Sequence, residues 1–169
     1  MKKGELKISS FVSVLSVVIA LLSCQPGDVQ KYSRVPEQDP DVLSFIFPLG
    51  QRGSTELFTG EAFHFGFSLD SIYNTVSGNV YFKAGARTNW HTHPGGQILI
   101  ITDGVGYHQI EGEPKQRIKK GDVVQCPPNV LHWHGASADA GLQQIYIVPN
   151  IDRGIVDWQA AVTDQEYEN

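Results

Sequence analysis

Cysteine, long apolar runs and clustered positive charge are all scarce in this chain. Only Cys24 and Cys126 are cysteines among its 169 residues, so a disulfide framework is not expected. The longest apolar run, 11–22, is too short for a comfortable bilayer span. The formal charge is −5 and the Lys and Arg residues are scattered, which argues against a nucleic acid partner. These absences leave a single globular domain that is stabilised by packing.

The first 23 residues have the composition of an export signal. The opening letters MKKGELK are positively charged, and the apolar run behind them suits a signal peptide better than a membrane span. The end of this segment, LLSC, resembles the bacterial lipobox, in which cleavage precedes the cysteine and its thiol is acylated. An ordinary secretory signal and an uncleaved anchor are the alternatives. We expect an exported, periplasmic protein that is held to a bacterial membrane by lipid on Cys24.

The remainder of the chain divides into a tether and an all-β domain. Residues 24–41 are polar and rich in Pro and Asp, which predicts a flexible tether. Short apolar runs separated by turn signals follow, and they predict an all-β sandwich or barrel over 42–169, with its core at about 57–150. The predicted strands are Val42–Phe47, Ser77–Lys83, Gln97–Thr102, Gly106–Ile110, Gln116–Ile118, Asp122–Gln125 and Leu142–Val148.

Helical spacing is confined to the tail of the chain. Between Ile155 and about Glu166, Trp158 and Val162 are four residues apart and share one side of a helix. We therefore expect a short C-terminal helix after the strands.

Two stretches of the domain carry metal-ligand residues at strand spacing. In GARTNWHTHPGGQILIITDG (85–104), His91 and His93 are two apart and can reach one point from one face of a strand. Gln97 opens the next strand after a Pro-Gly-Gly turn and faces the same interior. In GDVVQCPPNVLHWHGA (121–136), a second hairpin supplies His132. Three imidazoles and an amide oxygen suit a first-row divalent ion.

The same stretches resemble the two motifs of the cupin family. The first fits G-x5-H-x-H-x3-E-x6-G, with Gln97 in place of the usual Glu, and the second resembles G-x5-P-x-G-x2-H-x3-N, with Asn129 and Ala136 in place of its Gly and Asn. Within cupins, the chain looks most similar to small manganese proteins that include (R)-selective hydroxynitrile lyases.

The resemblance implies a jelly-roll barrel with a metal in its mouth. The implied ligands are His91, His93, Gln97 and His132. Mn²⁺ is the expected ion, with Fe²⁺, Ni²⁺ and Zn²⁺ as alternatives, and two coordination positions would remain for water or substrate. Cupin barrels commonly pair, and the aromatic segment from Phe45 to Phe67 could form the interface of a homodimer or could simply cap the barrel.

Four further residues are candidates for a catalytic or substrate-binding role beside the metal. His134 follows His132 by two positions and should face the cavity, either as a general acid or base or as a group that orients a ligand. Hydroxynitrile lyases have a pocket histidine on the last strand, and Gln144 occupies the matching position here. Only one residue of the pair Tyr107 and His108 can face inward, and Tyr107 is our candidate for a substrate contact.

Cys126 lies next to two prolines and offers two interpretations. It is either a catalytic nucleophile or, as its neighbours favour, a small buried hydrophobic side chain.

The leading functional hypothesis is a metal-dependent lyase, similar to the hydroxynitrile lyases, that acts on a small hydroxylated substrate. Another metal cupin enzyme, such as one that linearises unsaturated uronates or an iron dioxygenase, is an alternative. A third hypothesis is a binding module that holds a carbohydrate or small acid without chemistry.

Overall fold

The structure is a computed structural model, and it describes residues 45–169. The predicted signal peptide, the lipidation site at Cys24 and the tether lie outside the described residues. The described strands are β1 (Gln51–Arg52), β2 (Phe58–Thr59), β3 (Ala62–Asp70), β4 (Thr75–Phe82), β5 (Arg87–Thr88), β6 (His91–Thr92), β7 (Gln97–Ile110), β8 (Gln116–Lys119), β9 (Val123–Cys126), β10 (His132–Ala136), β11 (Leu142–Pro149) and β12 (Asp157–Trp158). A 3₁₀ turn, Ile151–Arg153, and one short helix, α1 (Asp164–Glu168), complete the described fold. Within 45–169 there is no helix with the length and apolar character needed to cross a bilayer.

All described strand pairs are antiparallel, and together they curl into a barrel. The main path of the sheet runs β1-β3-β4-β11-β7-β10-β5-β2. The 14-residue strand β7 belongs to both halves of the barrel, because its first part pairs with β11 and β9 and its second part with β10 and β8. This topology confirms the predicted jelly-roll barrel. The strands predicted around residues 77–83, 116–118, 122–125 and 142–148 are all present, with ends shifted by at most two residues.

The separation of the predicted strands Gln97–Thr102 and Gly106–Ile110 by a turn at Asp103-Gly104 is wrong. The chain continues through it as β7, which merges the two strands predicted on either side. Gly104 has a φ of +78°, and a Cβ there would lie 2.1 Å from the carbonyl oxygen of Gly141. The register with β11 also shifts between Gln143 and Gln144. Glycine and this bulge bend the strand from one half of the barrel into the other without interrupting its hydrogen bonds.

Two differences from the sequence prediction lie at the N-terminal edge. Phe45–Phe47, the described part of the strand predicted at Val42–Phe47, contains no strand. The described edge is formed instead by β3 and the two-residue strand β1, and β3 pairs with β4 from Ala62 to Asp70 with a bulge between Gly66 and Ser68. Aromatic residues recur at every second position of β3, at Phe63, Phe65 and Phe67, and this period of two is the signal that would have indicated a strand.

The helix predicted from Ile155 to Glu166 is also largely wrong. Only Asp164–Glu168 is helical, and Trp158 belongs to β12, where it pairs with His91 of β6. Trp158 packs in the cavity wall, whereas Val162 packs with Trp133 outside the barrel. Trp158 and Val162, whose spacing of four predicted one helical face, therefore pack in two different places.

Apolar side chains form two separate clusters. The larger one fills the barrel and contains residues such as Phe82, Leu99, Ile101 and Leu142, none of them more than 1% exposed. The smaller one, which we call the outer cluster, consists of Trp133, Val162 and Tyr167, with Trp90 and Tyr107 packed against it. Trp90 and Trp133 thus pack together on the outside, and β10 separates the outer cluster from the barrel interior.

Candidate metal centre

Three histidines converge at the inner end of the barrel. His91 lies on β6, His93 follows it at the start of a turn, and His132 opens β10 directly opposite His91. Each side chain is at least 96% buried, and one ring nitrogen from each lies within 4.8 Å of the others. The pairing of β6 with β10 therefore brings together residues that are about 40 positions apart in the sequence.

Backbone carbonyl groups determine which nitrogen of each histidine faces the centre. The Nδ1 atom of His91 lies 2.9 Å from the carbonyl oxygen of Asn89, and that of His132 lies 2.8 Å from Val130. His93 Nδ1 is 2.5 Å from the carbonyl oxygen of Ile155. Because a carbonyl oxygen only accepts, each Nδ1 carries the ring proton and donates it. All three Nε2 atoms are consequently left with free lone pairs, which is the tautomer that a metal ligand requires.

Gln97 completes the donor set. Its side chain is 6% exposed, and its Oε1 atom lies 3.2 Å from His132 Nε2. His93 Nε2 is buried without a hydrogen-bond partner among the described residues, which is costly unless a ligand occupies that position. Three imidazole nitrogens and one amide oxygen form a neutral set that suits a first-row divalent cation. The residues present thus fit the metal that the motifs imply.

Burial also keeps these imidazoles uncharged. It lowers the pKa of His93, lowers that of His91 well below its ordinary value, and lowers that of His132 to about 4. The pKa values fall because a protonated, charged ring loses its hydration inside the barrel. Neutral rings at neutral pH leave the lone pairs available for a cation.

Asn129, at the glycine position of the second motif, adopts a glycine-like conformation. Its φ is +60°, a left-handed value that asparagine tolerates better than most other residues. Its backbone N–H donates to the carbonyl oxygen of His93 at 3.0 Å. The substitution therefore preserves the turn that leads into His132.

His134 lies on the same face of β10 as His132 and lines the cavity beside it. Its ring centroid is 5.2 Å from that of His91. The Nε2 atom is buried without a partner among the described residues. Gln144 of β11 donates from Nε2 to His134 Nδ1 at 2.9 Å, so the proton of the neutral ring is on Nε2. The structure thus places Gln144 behind His134 and leaves one N–H group of His134 free for a ligand.

The structure places Tyr107 away from the cavity, contrary to the predicted substrate contact. Its ring packs against Tyr167 at a centroid distance of 6.1 Å and belongs to the surroundings of the outer cluster. The inward member of the pair is His108, which lies next to His132 and contacts Cys126 Sγ at 3.4 Å. The sequence could not show which of these two adjacent side chains faces the interior, because that depends on the register of β7 against β10.

Cys126 is buried at the end of β9. Burial raises the pKa of its thiol to about 12, so the reactive thiolate is not populated at neutral pH. This environment supports the interpretation of Cys126 as a small buried hydrophobic side chain and not as a catalytic nucleophile.

Three of the four candidate ligands, His91, His93 and Gln97, line a cavity of about 350 Å³. Its wall is mainly apolar and comprises Leu57, Phe58, Val76, Val80, Phe82, Val148, Ile155, Val156 and Trp158. The last three come from the C-terminal segment, which the sequence analysis did not connect with the site. Trp158 packs on His91 with ring centroids 4.9 Å apart, and Ile155 supplies the carbonyl oxygen that orients His93.

Comparison with known proteins shows the family. A family model described as "Cupin domain" matches residues 78–148. The chain is 39% identical over 122 residues to an (R)-mandelonitrile lyase from Granulicella tundricola, an alignment that covers 69% of this chain and 89% of that protein.

Solved structures show the same fold. A cupin-like protein from Thermotoga maritima is 46% identical, with a TM-score of 0.72 over 74% of this chain and 96% of that chain. The DMSP lyase DddQ from Ruegeria pomeroyi is only 18% identical, with a TM-score of 0.57 over 76% of each chain, and its likeness concerns the fold alone.

Proposed function

The chain belongs to the cupin family, and we propose that it is a metal-dependent lyase that splits a small cyanohydrin into an aldehyde and hydrogen cyanide. The observation that carries this proposal is a neutral set of three histidines and one glutamine at the inner end of an apolar cavity, with His134 beside it. The 39% identity to an (R)-mandelonitrile lyase supports the choice of reaction.

Four residues would hold the metal, and we propose Mn²⁺ as the ion. His91, His93 and His132 provide nitrogen, and Gln97 provides its amide oxygen. The bound cation supplies Lewis acidity that lowers the pKa of a nearby substrate hydroxyl group. Because none of the four ligands is charged, they do not offset the positive charge of the ion.

His134 is the residue that we propose to assist the departure of cyanide. Cleavage breaks the bond between the carbinol carbon and the nitrile carbon, turns the hydroxyl into a carbonyl, and leaves the electron pair on cyanide. One proton must pass from the hydroxyl to cyanide for the atoms to balance. His134 Nε2 carries a proton, lines the cavity and has no partner among the described residues. It is therefore placed to donate a hydrogen bond to the departing cyanide, which takes up the proton released by the hydroxyl group and leaves as hydrogen cyanide.

The cavity wall favours a neutral, apolar substrate. Phe58, Phe82 and Val80 line it, and they would exclude water from an aromatic or aliphatic group beside the reacting carbon. Arg52 is the single Lys or Arg side chain among the described lining residues, and it is 3.2 Å from Glu61. An anionic uronate would find no unpaired Lys or Arg there, so the uronate alternative gains no support from the described site.

The decisive experiment measures cleavage of mandelonitrile by protein loaded with Mn²⁺. We expect benzaldehyde and cyanide to be released in equal amounts, and His132→Ala to lose both bound metal and turnover. Trp133→Phe is the matched control, because it changes the neighbouring residue on the opposite face of β10. Absence of turnover in fully loaded, concentrated protein would refute the lyase proposal.

We further propose that the protein is exported and held at a periplasmic membrane surface by lipid on Cys24. The LLSC segment at the end of the apolar run supports this proposal. Cys24→Ala should move the protein from the membrane fraction to the soluble fraction after cell lysis. A membrane fraction that the substitution leaves unchanged would contradict lipid anchoring.

A homodimer formed along the β3 edge is a separate proposal. The side chains of Phe45, Phe67 and Leu69 are 51%, 38% and 69% exposed. Within residues 45–169, β3 has a neighbour on its outer side only at Phe63 and His64. A second copy could cover both the apolar side chains and the free strand edge. Light scattering should give twice the chain mass, and Leu69→Lys should reduce it to the monomer value. A single-chain mass for the unmodified protein would overturn this proposal.

A further inference from the structure

A second polar pair, His64 and Tyr146, lies in the cavity wall apart from the proposed metal ligands. His64 belongs to β3 and Tyr146 to β11, with β4 between them. Tyr146 Oη lies 2.6 Å from His64 Nε2, and the two rings stack at a centroid distance of 5.6 Å. Both residues line the same cavity as the histidine cluster. Neither residue has a role in the metal site or in proton transfer.

Strand β11 relates this pair to the reacting end of the cavity. Gln144, Tyr146 and Val148 alternate along it and all line the cavity. Residues two apart on a strand are separated by about 6.5 Å, so Tyr146 is one inward position beyond the glutamine that contacts His134. In the register of the sheet, His64 pairs with Val80 and Val80 pairs with Gln144, so His64 lies two strands away from the glutamine with the apolar Val80 between them. A ligand with one polar end at the metal could reach the His64 and Tyr146 pair across this apolar wall.

The position of the Tyr146 hydroxyl depends on a glycine in the adjacent strand. Gly78 pairs with Tyr146 in the register of β4 and β11. A Cβ atom at Gly78 would lie 2.7 Å from Tyr146 Oη and 2.8 Å from the carbonyl oxygen of Phe65. Any side chain there would collide with the phenol, so glycine provides the space in which the hydroxyl meets His64.

The pair has hydrogen-bonding capacity left for a ligand. Burial lowers the pKa of His64 and raises that of Tyr146, so both groups are neutral near pH 7. If the phenol donates to His64, its oxygen can still accept; if His64 Nε2 donates, the phenol O–H can still donate. A ligand hydroxyl group satisfies either arrangement, because it is both a donor and an acceptor.

We propose that His64 and Tyr146 form a second anchoring point, which selects substrates that carry a hydroxyl group at the end remote from the reacting carbon. Ring-hydroxylated mandelonitriles and the corresponding hydroxybenzaldehydes have this chemistry. The assignment rests on the proposed function for the orientation of the ligand, but the anchoring is a binding property that is measurable without turnover.

The test compares equilibrium affinities of Mn²⁺-loaded protein for benzaldehyde, 3-hydroxybenzaldehyde and 4-hydroxybenzaldehyde. We expect the better of the two phenols to bind about fivefold more tightly than benzaldehyde, as one added hydrogen bond would give. In Tyr146→Phe this ratio should fall to about one, since the variant lacks only the anchoring hydroxyl. Tyr81→Phe is the control, because Tyr81 packs with Phe45 and Phe63 and is absent from the cavity wall; it should keep the preference.

A second variant keeps the test independent of how well Tyr146→Phe folds. His64→Phe retains a ring but removes the partner that orients the phenol, and it should lower the ratio as well. Equal affinities in the unmodified protein, or a preference that survives both substitutions, would overturn the anchoring point. Preserved preference without any cyanohydrin cleavage would refute the lyase proposal alone, so the two failures are distinguishable.

Discussion

The two faces of β10 are stabilised in opposite ways. On the inner face, His132 and His134 are buried polar groups whose Nδ1 atoms form hydrogen bonds with a carbonyl oxygen and with Gln144. On the outer face, Trp133 is fully buried against Val162 and Tyr167. One strand of five residues therefore carries candidate site residues on one side and contributes to the smaller apolar cluster on the other. The comparison indicates that stability and function can be altered separately at adjacent positions.

The C-terminal segment connects these two faces. Its first part reaches the cavity, where Ile155 and Trp158 contact the ligand histidines. Its last part closes the outer cluster, where the buried Arg87 side chain donates to the carbonyl oxygen of Val162 and lies 4.6 Å from the centre of the Tyr167 ring. Three changes test whether the outer face of β10 controls stability while the inner face controls metal binding.

The largest expected effect is on the outer face. Trp133→Ala should reduce the free energy of unfolding by about 3–5 kcal/mol, because it removes a fully buried aromatic side chain and leaves a cavity. Urea denaturation of the metal-free protein measures this loss. Folded Trp133→Ala should still bind metal, and a loss of metal without a loss of stability would break the contrast.

Metal removal should have a smaller effect, and it acts on the inner face. With free Mn²⁺ at 100 times its dissociation constant, chelation should lower the free energy of unfolding by about 2.7 kcal/mol through the linkage of binding to folding. Thermal or urea unfolding with and without chelator measures the difference. His132→Ala should show no such difference, and an equal response in that variant would place the metal elsewhere.

The smallest effect is expected from Tyr167→Phe. The Tyr167 hydroxyl donates to the carbonyl oxygen of Ala136 at 2.8 Å, and a lost hydrogen bond of this kind costs about 1 kcal/mol. Denaturation should show this decrease, whereas metal affinity measured by titration should match the unmodified protein. A metal affinity that falls along with stability would mean that the outer face also controls the site.

Local patterns in the sequence predicted much of the barrel and of the candidate site. The alternation at His91 and His93, and the motif position of His132, predicted a shared centre that the strand pairing then produced. The spacing of Trp158 and Val162 predicted a helix that is largely absent, because the two side chains pack on different sides of the barrel wall. The roles of the C-terminal segment and of the His64 and Tyr146 pair depend on contacts between residues more than 60 positions apart, which no local pattern encodes.

The sequence by itself determined the all-β class and the shared side of His91 and His93, since both depend on a period of two, and its resemblance to the cupin motifs added Gln97 and His132 and hence a neutral donor set. Only the tertiary structure decided which nitrogen of each histidine faces inward, which of Tyr107 and His108 enters the barrel, and what lines the cavity. Those outcomes follow from strand register and from distant backbone carbonyls. A shift of one residue in register would turn every side chain of a strand to the opposite face.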